Sequence, residues 1–299
     1  MLTWNFFVNF MAEISNILDG KSLALTVIDD IKNKIYSCTV KNSLRIPKLV
    51  VVQVGNDPAS SSYIKQKQTM SLKAGMKFEL IQLASTITET ELLTTIKALN
   101  DNQGVDGFLV QLPLPKHICP SKIVAHILPT KDVDGFHPEN MGNIFYRKHD
   151  LAPCTPLGIL LLLENYKVEL IGKNIVIVGA STIVGQPLAT MLTNAGATVT
   201  LCHKLTNNLP KIVNNSDIII SATGNTKAVD ANDIKQNAIV IDVGINFTAN
   251  GRIIGDLDAT IIKKRASLYT PVPGGVGPMT VAALLLNTWH AYLANMSAK

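Results

Sequence analysis

Charge and aromatic side chains are both scarce in these 299 residues, at 16% and 5%, and only two tryptophans occur. Cysteine is scarce as well. The four, Cys38, Cys119, Cys154 and Cys202, are not spaced as metal ligands or as a redox pair. They read as free thiols of a protein kept in a reducing cytoplasm. The six histidines show no pairing at ligand spacing either, so no metal is expected. Basic residues exceed acidic ones to give a net charge of +5, but they are dispersed. Lys263-Lys264-Arg265 is the single tight cluster, which argues against a nucleic-acid partner and leaves a mild field suited to small anions. Residues Met1 to Phe10 are apolar and carry no Lys or Arg. They lack the early positive region of a signal peptide and are too short to span a bilayer, so no membrane partner is expected and the stretch reads as an extension. Internal repeats and low-complexity segments are absent.

What is present is a 47% hydrophobic content arranged in two alternating series. At about 150 residues per domain the length suggests two domains. Helical spacing of Leu23, Val27, Ile28, Ile31 and Ile35 predicts a helix from Gly20 to about Lys41. The run Lys48 to Val54 reads as a buried strand. Asp57 and Pro58 stand as N-cap and first residue of a helix ending at Gly75. A strand over 78–83, a capping box at Thr88-Glu89-Thr90-Glu91 and a strand over 106–112 follow, the last stopped by Pro113 and Pro115. Strand and helix in alternation predict a parallel sheet with right-handed crossovers. Past a boundary near 150–153, Thr155-Pro156 reads as the cap of a helix through Tyr166. Strands are then expected at 174–178, 197–201, 217–221 and 238–243, and a final helix from 280.

The second series opens with Gly179-Ala180-Ser181-Thr182-Ile183-Val184-Gly185-Gln186-Pro187 directly after an apolar strand. A glycine-rich turn leading into a helix offers backbone N–H groups to a pyrophosphate. Against the GxGxxG fingerprint, Ser181 replaces the second glycine and Gly185 is displaced by one, so a tight turn without a ligand stays open as an alternative. An acidic residue after the second strand would bind the ribose hydroxyls of NAD. Here Cys202-His203-Lys204 stands instead. A basic pair fits the extra phosphate of NADP, with Lys204 the first choice and His203 the second. Ser221-Ala222-Thr223-Gly224 and Asp242-Val243-Gly244-Ile245-Asn246 lie at further strand ends.

Four features could serve a reaction site. Tyr63 and Lys67 share one helix face, an arrangement equally compatible with a plain polar surface. Gln111 precedes the proline stop. Lys131-Asp132-Val133-Asp134-Gly135 sets two carboxylates beside a glycine. The run Pro271 to Pro278 packs three prolines and three glycines into a loop that cannot continue a helix.

The Tyr-xxx-Lys pair, VQLPLP at 110–115, KDVDG at 131–135 and PGGVGPMT at 273–280, with GASxIVGxP at the cofactor turn, occur in order. On these motifs the chain resembles the bifunctional methylenetetrahydrofolate dehydrogenase/cyclohydrolase family from about residue 18 onward. It departs from some members at Ala180, where they carry Arg. The resemblance implies NADP-dependent oxidation of 5,10-methylenetetrahydrofolate to the methenyl form, followed by hydrolysis to 10-formyltetrahydrofolate. It implies Lys67 as acid/base, Gln111 as its neutral partner, Tyr63 as the group that orients substrate, and Asp134 as anchor for the pterin N–H groups. Pro273, Gly274 and Gly277 would shape the folate surface. Gly179, Ala180, Ser181, Ile183, Val184, Gly185, His203, Lys204, Thr223, Gly224 and Ile245 would bind the cofactor, and Asp132 would be structural. A homodimer is implied as well.

The expected fold is α/β with two domains, each a parallel sheet flanked by helices, the C-terminal one Rossmann-like, with a cleft between them. Residues 11–149 plus 280–299 would form the catalytic domain and 150–279 the NADP domain. Three other readings are a dehydrogenase without the hydrolytic step, an NADP oxidoreductase for another small acid, and a silent nucleotide-binding protein.

Overall fold

A computed structural model describes residues 16–41, 43–148, 150–248 and 250–297; the extension expected over 1–10 lies outside them. The chain divides into two compact units. Of the described residues, one holds those within 27–154 and 281–297, the other those within 16–26 and 155–280. The sequence alone grouped 16–26 with the first domain. The structure pairs Ile17 with Tyr269 as a parallel bridge, and Lys21 N donates to Gly274 O at 2.8 Å.

Helix α1 (Gly20–Tyr36) ends in a single π turn over Ser37–Lys41. Strand β1 (Lys48–Val54), helix α2 (Pro58–Lys73), β2 (Lys77–Leu83), α3 (Glu89–Asp101) and β3 (Gly107–Val110) form a parallel sheet in the order β2-β1-β3. β1 is central and buried along all but its first residue, which is why it reads as a continuous β-branched run. Its side chains meet Phe108, Val110, Leu92 and Ile96 in one core. Asp57 caps α2 through Ser60 N at 2.7 Å, and the capping box at Thr88 and Glu91 is complete.

β3 ends at Val110, two residues short of the expected limit. Gln111 N still donates to Val52 O at 2.8 Å, but Pro113 has no N–H with which to extend the ladder. Short helices α4 (Pro120–Val124) and α5 (Pro138–Phe145) follow. Between them Lys131 is buried, and its Nζ donates to the carbonyls of Leu99, Asn100 and Asn102 at 2.8–3.0 Å, which closes the open end of α3. Asp132 forms a parallel bridge beside Phe108. Its buried carboxylate accepts from His137 N at 2.7 Å and Asn140 Nδ2 at 3.0 Å.

Helix α6 (Cys154–Asn165) begins one residue before the expected cap, so Thr155 is helical; its hydroxyl meets that of Thr280 at 3.0 Å. Strand β4 (Asn174–Val178), helix α7 (Gly185–Asn194), β5 (Thr198–Cys202), α8 (Leu209–Asn214), β6 (Ile218–Ser221) and β7 (Ile239–Asp242) come next. A two-stranded antiparallel arm, β8 (Asn246–Phe247) with β9 (Ile253–Ile254), leads to α9 (Ala259–Arg265) and β10 (Leu268–Tyr269). The sheet is parallel throughout, in the order β10-β7-β6-β4-β5. Counted along the chain this is a 2-1-3-4-5 doubly wound order, whose direction reverses between β4 and β6.

The last helix, α10 (Val276–Ser297), begins four residues earlier than expected and takes Gly277 and Pro278 into its first turn. First-turn N–H groups have no intrahelical acceptor, so proline costs little there. Among the described residues no helix is long and apolar enough to cross a membrane.

Burial raises the Asp132 carboxyl to about 6. The folded chain therefore holds this proton more tightly than the unfolded chain, and stability falls as pH rises from about 4 through about 6. Asp132→Asn keeps an acceptor for His137 N and Asn140. Urea unfolding at pH 4.5 and pH 7 should show the variant losing less stability across that interval than the wild type, by on the order of 2 kcal/mol.

Candidate active site

The capped start of α2 fixes the helix, and the i, i+4 spacing puts Tyr63 and Lys67 on one face. Tyr63 is half-buried, and burial raises its hydroxyl pKa. Lys67 is only 7% exposed. Its Nζ donates to Gln111 Oε1 at 3.0 Å, while Gln111 Nε2 donates to Leu112 O at 2.9 Å. That second bond fixes which end of the amide faces the lysine. Among the described residues no carboxylate lies within ion-pair distance of Lys67. A buried lysine facing a neutral amide is unusual, because buried lysines are normally paired. The plain polar face is thereby set aside for Lys67, whereas Lys65 and Lys73 are exposed. Gln111 stands at the carboxyl end of β3, the edge on which parallel sheets carry ligands.

Asp134 is half-buried two residues after the Asp132 bridge. Gly135 follows at φ +78°, and a Cβ there would lie 2.4 Å from the carbonyl carbon of Ala152, so only glycine allows this close packing. Asp134 and Lys67 both act on one buried group. The Cys154 thiol, fully buried, has its pKa raised first by desolvation and then by Asp134, against a lowering by Lys67.

In the other unit, the 179–185 turn and the 221–224 turn adjoin at the point where the strand order reverses. A Cβ on Gly179, at φ +119°, would lie 2.2 Å from Ala222 O. Ser181 Oγ accepts from Val184 N at 3.2 Å. Among the described residues, no acceptor faces the N–H groups of Ala180, Ser181, Thr182 or Ile183. Four consecutive donors without an internal acceptor, beside a helix start, suit a dinucleotide pyrophosphate. Ile183 and Ile245 are each partly exposed, at 41% and 38%. At the end of β5, His203 and Lys204 are exposed and no carboxylate stands at 203–206. His203 Nδ1 accepts from Leu205 N at 3.2 Å.

One residue with a clear part in this site was not singled out from the sequence. Asp256, 1% exposed, accepts through Oδ2 from Ser221 Oγ, Thr223 N, Thr223 Oγ1 and Gly224 N at 2.8–3.2 Å. It thus shapes the turn that carries Thr223 and Gly224. Asp242 supports it by accepting from Asp256 N at 2.9 Å and Leu257 N at 3.0 Å. Burial, with Asp256 nearby, pushes the Asp242 carboxyl up to about 6. A run of small and acidic residues, Gly255-Asp256-Leu257-Asp258, was the one sequence signal, and acids of that kind are usually solvated.

In the proline-glycine run, Gly274 adopts φ +112° and Gly277 has open space where a side chain would point. Pro273 is exposed. A Cβ on Gly20 would lie 1.9 Å from Gly275 O, so α1 begins pressed against this loop.

A doubly wound parallel sheet with an unpaired N–H turn at its switch point defines a nucleotide-binding α/β protein. Residues 153–296 match the tetrahydrofolate dehydrogenase/cyclohydrolase NAD(P)-binding domain and residues 18–134 its catalytic domain. The chain belongs to the tetrahydrofolate dehydrogenase/cyclohydrolase family. It is 50% identical over 279 residues to Bifunctional protein FolD of Hydrogenobaculum sp. (strain Y04AAS1), covering 93% of this chain and 98% of the relative. Its fold matches the crystal structure of the bifunctional enzyme FolD from Campylobacter jejuni, with a TM-score of 0.90, 45% identity and coverage of 93% and 99%. A Trypanosoma brucei dehydrogenase-cyclohydrolase solved with NADP cofactor and an inhibitor also matches, with a TM-score of 0.90, 33% identity and coverage of 94% and 98%.

Asp256→Ala would leave the Thr223 and Gly224 N–H groups without their acceptor. Chemical denaturation should show a loss of about 2–4 kcal/mol, in the range for breaking a buried hydrogen-bond network.

Proposed function

We propose that this chain oxidises 5,10-methylenetetrahydrofolate with NADP and then hydrolyses the methenyl product to 10-formyltetrahydrofolate. The observation that carries the reading is the buried Lys67 amino group, held by the neutral Gln111 amide in place of a carboxylate. A base acting on a cationic substrate must exchange a proton without being locked into a salt bridge, and this pair meets that condition. NADP+, when bound, accepts the hydride from the methylene carbon. For that step the protein needs only to position the reactants.

In the hydrolytic step Lys67 takes a proton from the attacking water and returns one to the ring nitrogen as its bond to the one-carbon unit opens. Gln111 Oε1 holds Nζ in place without adding charge that would oppose proton release. Tyr63, on the same helix face, orients substrate or water and packs on the ring. Asp134 accepts two N–H bonds from the pterin, a task that suits the two oxygens of a carboxylate. Pro273, Gly274 and Gly277 offer backbone with little side chain for the folate to rest on.

The cofactor is held at its pyrophosphate by the 180–183 N–H groups, with Gly179, Val184 and Gly185 shaping the turn. Thr223, Gly224 and Ile245 complete the floor. NADP is preferred to NAD because His203 and Lys204 stand where a ribose-binding carboxylate would be needed. The chain acts as a homodimer in the cytoplasm, where its thiols remain reduced.

Lys67→Met should abolish hydrolysis of methenyltetrahydrofolate while leaving the thermal unfolding midpoint within a few degrees of wild type. Retained hydrolysis would place the base elsewhere. Asp134→Ala should raise the KM for folate far more than that for NADP, and equal rises would make the aspartate a structural residue. Lys204→Ala should lower the NADP/NAD preference in kcat/KM by about tenfold, as expected for loss of one phosphate contact. An unchanged ratio would assign the phosphate to another side chain.

A further inference from the structure

Helix α10 carries one polar side chain that its surroundings do not explain by packing. Asn287 is fully buried, directly after Ala282 to Leu286, each of which is at most 1% exposed. Its Nδ2 donates to Val133 O at 2.9 Å and to Ala152 O at 2.8 Å, and lies 3.7 Å from Cys154 Sγ. Its Oδ1 is buried without a partner. An unsatisfied buried carbonyl is costly, and a leucine would fill the same space without that cost. The amide is therefore not explained by stability alone.

What it grips is informative. Val133 and Ala152 belong to the two segments that meet around Asp134. Asp134 O accepts from Cys154 N at 3.3 Å. The Cys154 thiol donates to Val133 O at 3.2 Å, with Asp134 Oδ1 at 3.8 Å. Gly135 is pressed on Ala152 with no room for a Cβ. Among the described residues Asn287 is the one side chain from a third element that bonds to both segments at once. Removing its donors frees 133–135 to shift relative to 152–154, and the Asp134 carboxylate shifts with it.

We infer that Asn287 is a positioning residue for Asp134, setting where the substrate-anchoring carboxylate stands. This rests on the reading of Asp134 as the pterin anchor. An error of about 1 Å in a bidentate contact is enough to weaken it severely. The effect should fall on folate and spare the cofactor, whose turn lies in the other unit.

The test is steady-state kinetics of the full-length enzyme with methylenetetrahydrofolate and NADP+. Asn287→Leu, which restores volume and removes the orphan oxygen, is compared with Asn287→Ser, each alone and in an Asp134→Ala background. Asn287→Leu should raise the folate KM about tenfold, with the NADP KM changed less than about twofold. Its thermal midpoint should stay at or above that of Asn287→Ser. In the Asp134→Ala background the same substitution should change the folate KM no further, because there is no carboxylate left to position. A full additional rise in that background would overturn the proposal, as would an equal rise in both KM values or a wild-type folate KM in Asn287→Leu. If Asn287→Leu fails to fold, the packing role is the real one and the proposal falls. If Asp134→Ala itself leaves the folate KM unchanged, the anchor reading fails first and takes the proposal with it, an outcome distinct from the others.

Discussion

A parallel strand pair cannot be closed by a hairpin, so in β2-β1-β3 and in β10-β7-β6-β4-β5 a crossover joins each strand to the next of its sheet along the chain. All carboxyl ends then lie along one edge of each sheet, where loops are free of ladder bonds and can hold polar groups. Gln111 after β3, the 179–185 turn after β4 and the 221–224 turn after β6 all occupy such ends. The buried central strands make this edge rigid. Chemistry that needs positions held to a fraction of an ångström is placed on loops rooted in that rigid frame.

Polar groups near the cores are accommodated in two ways. Lys67 is buried against an amide and, among the described residues, stays outside any ion pair. Asp132, Asp242 and Asp256 are buried and satisfied almost entirely by backbone N–H groups and neutral side chains. A carboxylate that accepts several N–H bonds can fix a turn as firmly as a strand would, without calling for a countercharge. In this way Asp256 shapes the 221–224 turn and Asp132 the approach to Asp134. For Asp132 and Asp242 the desolvation of burial outweighs those bonds, and the carboxyls are drawn up to about 6.

Local pattern made much of this legible from the chain alone. The Asp57 cap, the Thr88 capping box and the β-branched run of β1 each have a cause within a few residues, and each appears as read. The expected strands of both sheets lie within two residues of their observed limits at most. The misplacements share a cause. Thr155 looked like a cap and Pro278 like a breaker, yet both lie in first turns, where a helix tolerates what its interior rejects. Roles that depend on distant partners left no local trace. Asp256 serves residues more than 30 positions away, and Asn287 bonds to carbonyls 135 and 154 positions away.

By itself the sequence determined the α/β class, the two series of parallel strands and the residue types at each turn, because capping, periodicity and glycine-proline chemistry act over a few residues. Motif order was enough to point to the family. Only the tertiary structure decided that Lys67 is buried beside Gln111, that among the described residues it has no carboxylate partner and the N–H groups of 180–183 no acceptor, and that Asp256 and Asn287 bond to segments far from them in the chain. Those facts depend on which segments fold against one another, and burial of a polar group has no signature in the chain until its partners arrive.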